Sequence, residues 1–350
     1  MEATVLPTFP SNDSYITGDV EKDGQNEANN LWRRMTIVSM VIYSLAFLLG
    51  IIGNGLVIII TGFCMKKTVN TVLFLNLAIA DFIFTFFLPL SIAQAALKFH
   101  WPFGRAMCKI NNALAYLNLY ASVYLLMVIS MDRCISVRCP VWAQNHRTPQ
   151  RAGFVALGVW TLALVLCSPN LHFRDTMPHP GKKGMIVCFN NYGHPAVNLL
   201  RHHAVVISRF IFGFVIPFSV IVACYGAIAL RLRRDHLAQS SKPFKVITAV
   251  ITAFFICWFP YHVFSFLELK YSGHAEMRLL LAVGIPLTSS LAFINSCLNP
   301  ILYVFMGHDF KEKLRRSLLS VFEDAFAEES GHSTAQTKTR SSIELESHDK

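Results

Sequence analysis

The sequence predicts an all-α membrane protein: a bundle of seven transmembrane helices followed by an amphipathic helix on the membrane surface. Three observations carry that prediction. Seven apolar blocks recur along the 350 residues, each near or above the ~20 residues that cross ~30 Å of hydrocarbon as a helix. Only 15% of the residues are charged against 53% hydrophobic, with a mean hydropathy of +0.44, whereas soluble domains carry roughly 25% charged residues. After the last block, "HDFKEKLRRSLLSVFEDAF" puts Phe310, Leu314, Leu318 and Phe322 on one helical face with Lys and Arg elsewhere, the pattern of a helix lying on anionic lipid.

The blocks fall at residues 36–62, 71–97, 106–138, 152–171, 203–230, 244–269 and 279–305. Helices are forced there, because open strands in lipid leave backbone donors and acceptors unpaired. Residues 1–33 are predicted to be a disordered acidic tail, with Glu2, Asp13, Asp19, Glu21, Asp23 and Glu27. It has no apolar signal-peptide core, and Asn12-Asp13-Ser14 is a glycosylation sequon. The bundle occupies 34–306 and the surface helix 307–326. A Ser/Thr-rich tail, 327–350, is expected to be disordered and open to phosphorylation at Ser333, Thr334, Thr337, Thr339, Ser341 and Ser342.

Basic residues flanking the blocks orient the chain. One side takes Lys66, Lys67, Arg138, Arg147, Arg151, Arg231, Arg233, Arg234, Lys242, Lys245, Lys311, Lys313, Arg315 and Arg316. The other takes eight, with Arg33 and Arg34 beside them. The bias places the acidic tail outside and the C-terminus in the cytoplasm.

Several function classes recede on these grounds. The net charge of +10 is spread between and beyond the apolar blocks, leaving no exposed soluble face for nucleic acid. Nine Cys include no CxxC pair and no zinc-spaced Cys/His cluster, so no metal is expected. A transporter would show repeated halves or a charged lane, and no internal repeat is present. A membrane enzyme would need a catalytic constellation at one depth. The 13 His lie mostly in loops, with no HExxH and no nucleophile elbow.

What remains is a set of polar groups that lipid does not tolerate without a reason. Asn111, Asn112 and Asn118 of the third block should face the bundle interior. Asp81 sits inside the second block, where a carboxylate costs a few kcal/mol. Its candidate partners are Asn54, Ser122, Asn295, Ser296 and Asn299. Either a shared water-and-cation pocket or a static hydrogen-bond network satisfies them. Asp132 and Arg133 close the third block, where they can neutralise each other or Arg133 can snorkel to head groups. Trp258 precedes Pro260 in the sixth block, and a proline there kinks a helix. Asn299 and Pro300 suggest the same in the seventh. Cys108 and Cys188 both face the oxidising side, so a disulfide is chemically allowed there, with two free thiols as the alternative.

Taken together, these features resemble the rhodopsin-like (class A) G-protein-coupled receptors over about residues 40–320. "LNPILY" matches the family's NPxxY as Asn299, Pro300 and Tyr303. "GNGLV" carries Asn54, "LNLAIAD" carries Asp81 and "CWFP" carries Trp258 and Pro260. The third-helix ionic end is Asp132-Arg133, followed by Cys134 where the family usually has Tyr. Within that superfamily "PVWAQNHRT", "HWPFG", "SSKPFKV" and "DFKEKL" are similar to the chemoattractant branch of chemerin, formyl-peptide and anaphylatoxin receptors. "FLLGIIGNGLVIII", "CFNN" and "CWFPYH" are most like chemerin-like receptors, with formyl-peptide receptors as near relatives. Formyl-peptide receptors use a third-helix Asp and two fifth-helix arginines. Here Tyr116 holds the first position and only Arg209 remains, with Val205 four residues before it.

The resemblance implies a receptor for a chemoattractant peptide or adipokine. It would signal from the plasma membrane through an inhibitory-class G protein and arrestin to drive leukocyte chemotaxis and inflammation. It implies a Cys108–Cys188 disulfide and a peptide C-terminal carboxylate on Arg209, with Arg174 at the loop root and Glu268 at the rim. Asn112, Tyr116, Phe189 and Phe264 would line the apolar cavity beside them. A carboxylate lipid mediator of resolvin type suits the same arginine, and a scavenging receptor without G-protein coupling is the other alternative. No cofactor is expected; the ion such a pocket would take is sodium beside Asp81.

Overall fold

A computed structural model of the chain describes residues 20–234, 242–270, 275–306 and 312. The Asn12 sequon, the surface helix and the six tail phosphorylation sites lie outside the described residues, as does the side chain of Tyr303.

The first rod, α1 (Val20–Ile59), ends in a π-helical turn over Ile60–Cys64. It begins sixteen residues before the apolar block, inside the stretch expected to be a disordered tail. The second, α2 (Val69–Ala96), starts at a capping box in which Thr68 and Thr71 satisfy each other's backbone N–H. The third is α3 (Gly104–Arg138). A short helix the apolar pattern does not announce, α4 (Pro140–His146), links it to α5 (Pro149–Phe173), which Thr148 caps with Pro149 at the first position.

A two-stranded antiparallel hairpin follows, β1 (Arg174–Pro178) and β2 (Ile186–Asn190), with Thr176 opposite Cys188. The fifth rod is α6 (Pro195–Phe210), a π-helical turn over Ile211–Val215, and α7 (Ile216–Arg234). The last two are α8 (Lys242–Leu269) and α9 (Ala275–Met306). Both run helical through their prolines, Pro260 in α8 and Pro286 and Pro300 in α9.

Six of these rods are long and apolar enough to cross a membrane among the described residues. The seventh, α9, packs between α1 and α8. The rod α3 stands at the centre against α2, α5, α7 and α8, and its central stretch is 72% buried against 28% for α5. Large apolar side chains cover the outer surface instead, including Phe63, Phe154, Leu157 and Val165. Water does not tolerate a patch of that extent, whereas acyl chains do.

Close approach of α8 and α9 depends on Gly284, because a Cβ there would overlap the Phe264 ring. Gly284→Ala is expected to cost about 1–3 kcal/mol by overpacking. Thermal unfolding of the detergent-solubilised protein checks this, and a second substitution, Phe264→Ala, should recover part of the loss.

Candidate functional site

Three polar constellations lie along the bundle axis. The first is central. Asp81, with no exposed surface, accepts from Asn118 Nδ2 at 2.8 Å on Oδ1 and from Asn299 Nδ2 at 2.7 Å on Oδ2. The Ser122 and Ser296 hydroxyls lie beside the same carboxylate; Ser296 Oγ donates to Asn118 Oδ1 at 3.2 Å. Asn54 Nδ2 donates to the Gly50 and Ser296 carbonyls at 3.0 and 2.8 Å. The bonds therefore tie α2 to α3 and α9, α3 to α9, and α1 to α9. Of the residues read from sequence, Asn299, Ser122 and Ser296 reach Asp81, whereas Asn54 bonds backbone. Asn295 is buried on α9 but is not among the side chains bonding Asp81. Asn118, read only as an interior-facing residue, is the missed member.

The second constellation lies at the Arg133 end. The sequence allows Asp132 and Arg133 to neutralise each other or Arg133 to snorkel, and in the structure the direct ion pair of the carboxylate is with a third residue. Arg147 holds Asp132 in a two-pronged bond, Nε to Oδ1 at 2.8 Å and Nη2 to Oδ2 at 2.9 Å. Arg133 Nη2 instead donates to Asn70 Oδ1, which also accepts from Arg147 Nη2 at 2.7 Å. The reason is helical geometry: adjacent residues on a helix do not face one another. Asn70 at the start of α2 and Arg147 after α4 are the missed partners. Arg147 stood in sequence only as one positive flank among many.

The third lies toward the hairpin end. Arg209, 2% exposed, donates from Nη1 to Tyr261 Oη at 2.6 Å, and its guanidinium stacks 4.4 Å from the centre of the Tyr116 ring. The Tyr116 and Tyr261 hydroxyls are 3.0 Å apart. Tyr261 meets Trp258 edge to face, with ring centres 5.7 Å apart. The chain of contacts thus runs from Arg209 to Trp258 through Tyr261, which Pro260 precedes and which sequence reasoning passed over. Glu268 is buried near the end of α8, and Phe189 and Phe264 are half-buried.

The hairpin closes this end. Cys108 and Cys188 form a disulfide, with Cα atoms 5.8 Å apart. Trp101, 1% exposed, donates its backbone N–H to Ile186 O. Arg174 is buried in the hairpin root, where Nε donates to Cys188 Sγ at 3.2 Å and Nη1 to Asn190 Oδ1 at 3.0 Å. Arg105 and Asp175 pair at 2.7 Å. Partial burial would raise the Asp175 carboxyl, but donation from Thr176 N–H and the Arg105 guanidinium outweighs it and holds the carboxyl below the usual carboxylate range. Beneath the hairpin a cavity of about 120 Å³ opens between α1, α2, α3 and α9. Arg174 and Asn112 line it; Arg209, Tyr116, Phe189, Phe264 and Glu268 do not. The expected ligand residues therefore do not all line this cavity.

This arrangement of seven rods around Asp81, Arg133 and Asn299 coincides with a known pattern. The family model of the seven-transmembrane receptors, rhodopsin family, matches residues 53–303. The chain belongs to that family. It is a multi-pass membrane protein in a family of receptors rather than enzymes. It is 48% identical to chemerin-like receptor 1 of Rattus norvegicus over 344 residues, covering 92% of this chain and 91% of the relative. With chemerin-like receptor 1 of Homo sapiens it shares 48% over 312 residues, 85% of this chain and 82% of the relative. With formyl peptide receptor 2 of Mus musculus it shares 43% over 333 residues, 89% and 93% respectively. The receptor is thus related to both chemerin-like and formyl peptide receptors, which implies a chemoattractant receptor.

Two outcomes follow for this receptor. Arg147→Ala removes a two-pronged charged bond and should cost about 1.5–3 kcal/mol. Arg147→Lys should recover only part of it, since an ammonium cannot form the fork; melting temperatures compare the two. For Asp175 the folded-state pKa is depressed, so its stabilisation is present above the unfolded value and lost as pH falls through the folded one. The difference in melting temperature between wild type and Asp175→Asn should hold from pH 7 to about pH 4 and shrink below it.

Proposed function

We propose that this protein is a plasma-membrane receptor for a chemoattractant peptide or adipokine of the chemerin-like class, coupled to an inhibitory-class G protein and regulated by arrestin. Its hairpin end faces outward and its Arg133 end faces the cytoplasm, in keeping with the basic flanks of the helices. What carries this reading is the contact path from Arg209 through Tyr261 to Trp258, within a chain so similar to chemerin-like receptors. A guanidinium sunk among aromatic rings suits a carboxylate, and the Tyr116 and Tyr261 rings hold it in place.

In this scheme a peptide C-terminal carboxylate draws Arg209 from Tyr261, with Arg174 and Glu268 framing the approach and Asn112, Phe189 and Phe264 receiving apolar side chains. Release of Tyr261 changes its edge contact with Trp258, beside Pro260. Rearrangement follows at Asn299, Pro300 and Tyr303. The ligand's differential affinity for the open bundle shifts the population. At the other end the Asp132–Arg147–Asn70–Arg133 cluster parts, and Arg133 becomes available to the G protein. Phosphorylated Ser333, Thr334, Thr337, Thr339, Ser341 and Ser342 recruit arrestin. Asn12 carries a glycan in the tail.

A sodium ion belongs in the same reading. Asp81, Ser122, Ser296 and Asn118 offer oxygen donors, and Asn54 Oδ1 is a buried acceptor without a partner among the described residues. These residues fit a hard monovalent cation that would favour the closed bundle.

Arg133→Ala should abolish nucleotide exchange on the G protein in reconstituted membranes while ligand binding stays measurable. Unchanged exchange removes Arg133 from this role. A binding screen of chemerin-like peptides, formyl peptides and carboxylate lipids tests the pocket: Arg209→Ala should lose at least tenfold in affinity for the true ligand. Full affinity of the variant for every carboxylate ligand misplaces the site.

A further inference from the structure

We infer that Cys134 and Cys224 form a redox modification site, in which a hydroperoxide joins them as a disulfide and ties α3 to α7 beside Arg133. The site deepens the proposed function and rests on that reading, since it acts at the end of the bundle that opens to a G protein. Cys134 stands where the family usually has Tyr, and no step of the switch described above uses its thiol. The structure gives that departure a partner. The Cys134 thiol on α3 lies beside the Cys224 thiol on α7.

Both thiols are half-buried, whereas Cys167, Cys257 and Cys297 are buried and sealed from an oxidant. Cys134 is four residues, about 6 Å, from the end of α3, so a small solute reaches it from the Arg133 end. The neighbours of the two cysteines make this seam a working part of the bundle. Arg133 precedes Cys134 and donates to Asn70. Tyr225 follows Cys224, and its hydroxyl lies beside Thr248 of α8 and near Arg133. A covalent tie between Cys134 and Cys224 therefore fixes α7 to α3 one residue away from each of these groups. It is compatible with the closed arrangement and restricts every arrangement in which α7 and α8 move away from α3, so it favours the closed bundle.

The chemistry balances with the hydroperoxide as the only co-reactant. One cysteine, as its thiolate, attacks the terminal oxygen of the hydroperoxide. The S–O bond forms and the O–O bond breaks, leaving a sulfenic acid. The departing alkoxide takes up the proton that the thiol lost and leaves as an alcohol. The second sulfur then attacks the sulfenic sulfur; the S–S bond forms, the S–O bond breaks, and hydroxide leaves as water with the second thiol's proton. Two thiols together give up two electrons, and one peroxide accepts them. A thiol standing beside the sulfenic acid captures it before it oxidises further. In a reducing compartment glutathione returns such a bond to two thiols, which is the behaviour of a sensor rather than of a structural bridge.

The test treats the full chain in lipid nanodiscs with tert-butyl hydroperoxide, blocks the remaining thiols with N-ethylmaleimide and weighs its peptides without reduction. A peptide joining Cys134 to Cys224 should form and should disappear with reduced glutathione, while the Cys108–Cys188 bridge persists. The melting temperature should rise by roughly 5 °C on oxidation, and basal nucleotide exchange on an inhibitory-class G protein should fall. Cys134→Ser and Cys224→Ser should each abolish all three changes, whereas Cys64→Ser and Cys139→Ser should keep them; Cys134→Ala stands in if the first variant does not fold. Exposed Cys64 reports that the oxidant arrived. Its oxidation without the joined peptide overturns the site, as does a peptide joining Cys134 or Cys224 to any other partner. A joined peptide that leaves melting and exchange unchanged overturns the tie between α3 and α7. A reduced receptor without exchange counts against the proposed function alone, because the joined peptide and the melting shift are read without G protein and still decide the site.

Discussion

The structure depends on one constraint: a polar group in the hydrocarbon layer must find its partner inside the protein. Asp81 states it most sharply. With no exposed surface, its carboxylate takes bonds from Asn118 on α3 and Asn299 on α9. Lipid offers no replacement for either bond, so moving one helix away from the others leaves groups unsatisfied at about 1–3 kcal/mol each. The helices are thereby tied at mid-depth by directional bonds, while apolar packing, which distinguishes poorly between protein and acyl chains, does not tie them.

The same constraint makes the ends of the bundle suitable for switching. Around Asp81 the network spans four helices, and around Arg133 it spans two helices and the segment between α4 and α5. Each is a small set of charged bonds that has to break as a group. The cluster of Arg209, Tyr261 and Trp258 differs, because rings and one guanidinium share the burial. The guanidinium there is held by the bond to Tyr261 and by the faces of the Tyr116 and Tyr261 rings.

The hairpin adds rigidity of another kind. The disulfide closes a loop across 80 residues, and the Arg105–Asp175 pair and Trp101 anchor the strands on either side of it. Arg174 faces inward from that anchored frame.

By itself the sequence determined the class of fold and most of the polar interior. Seven apolar blocks can cross lipid only as helices, and an Asp or Asn within them can only point inward, so Asp81, Asn299 and Ser296 were legible. Only the tertiary structure decided who bonds whom. Asn118 over Asn54 as the partner of Asp81, Arg147 over Arg133 as the partner of Asp132, and Tyr261 as the link to Arg209 all depend on how helices rotate and pack. The separation of Arg209 and Tyr116 from the cavity that Arg174 and Asn112 line has the same origin. Periodicity gives the face a side chain occupies; its partner is set by contacts between segments far apart in the chain, which no local pattern encodes.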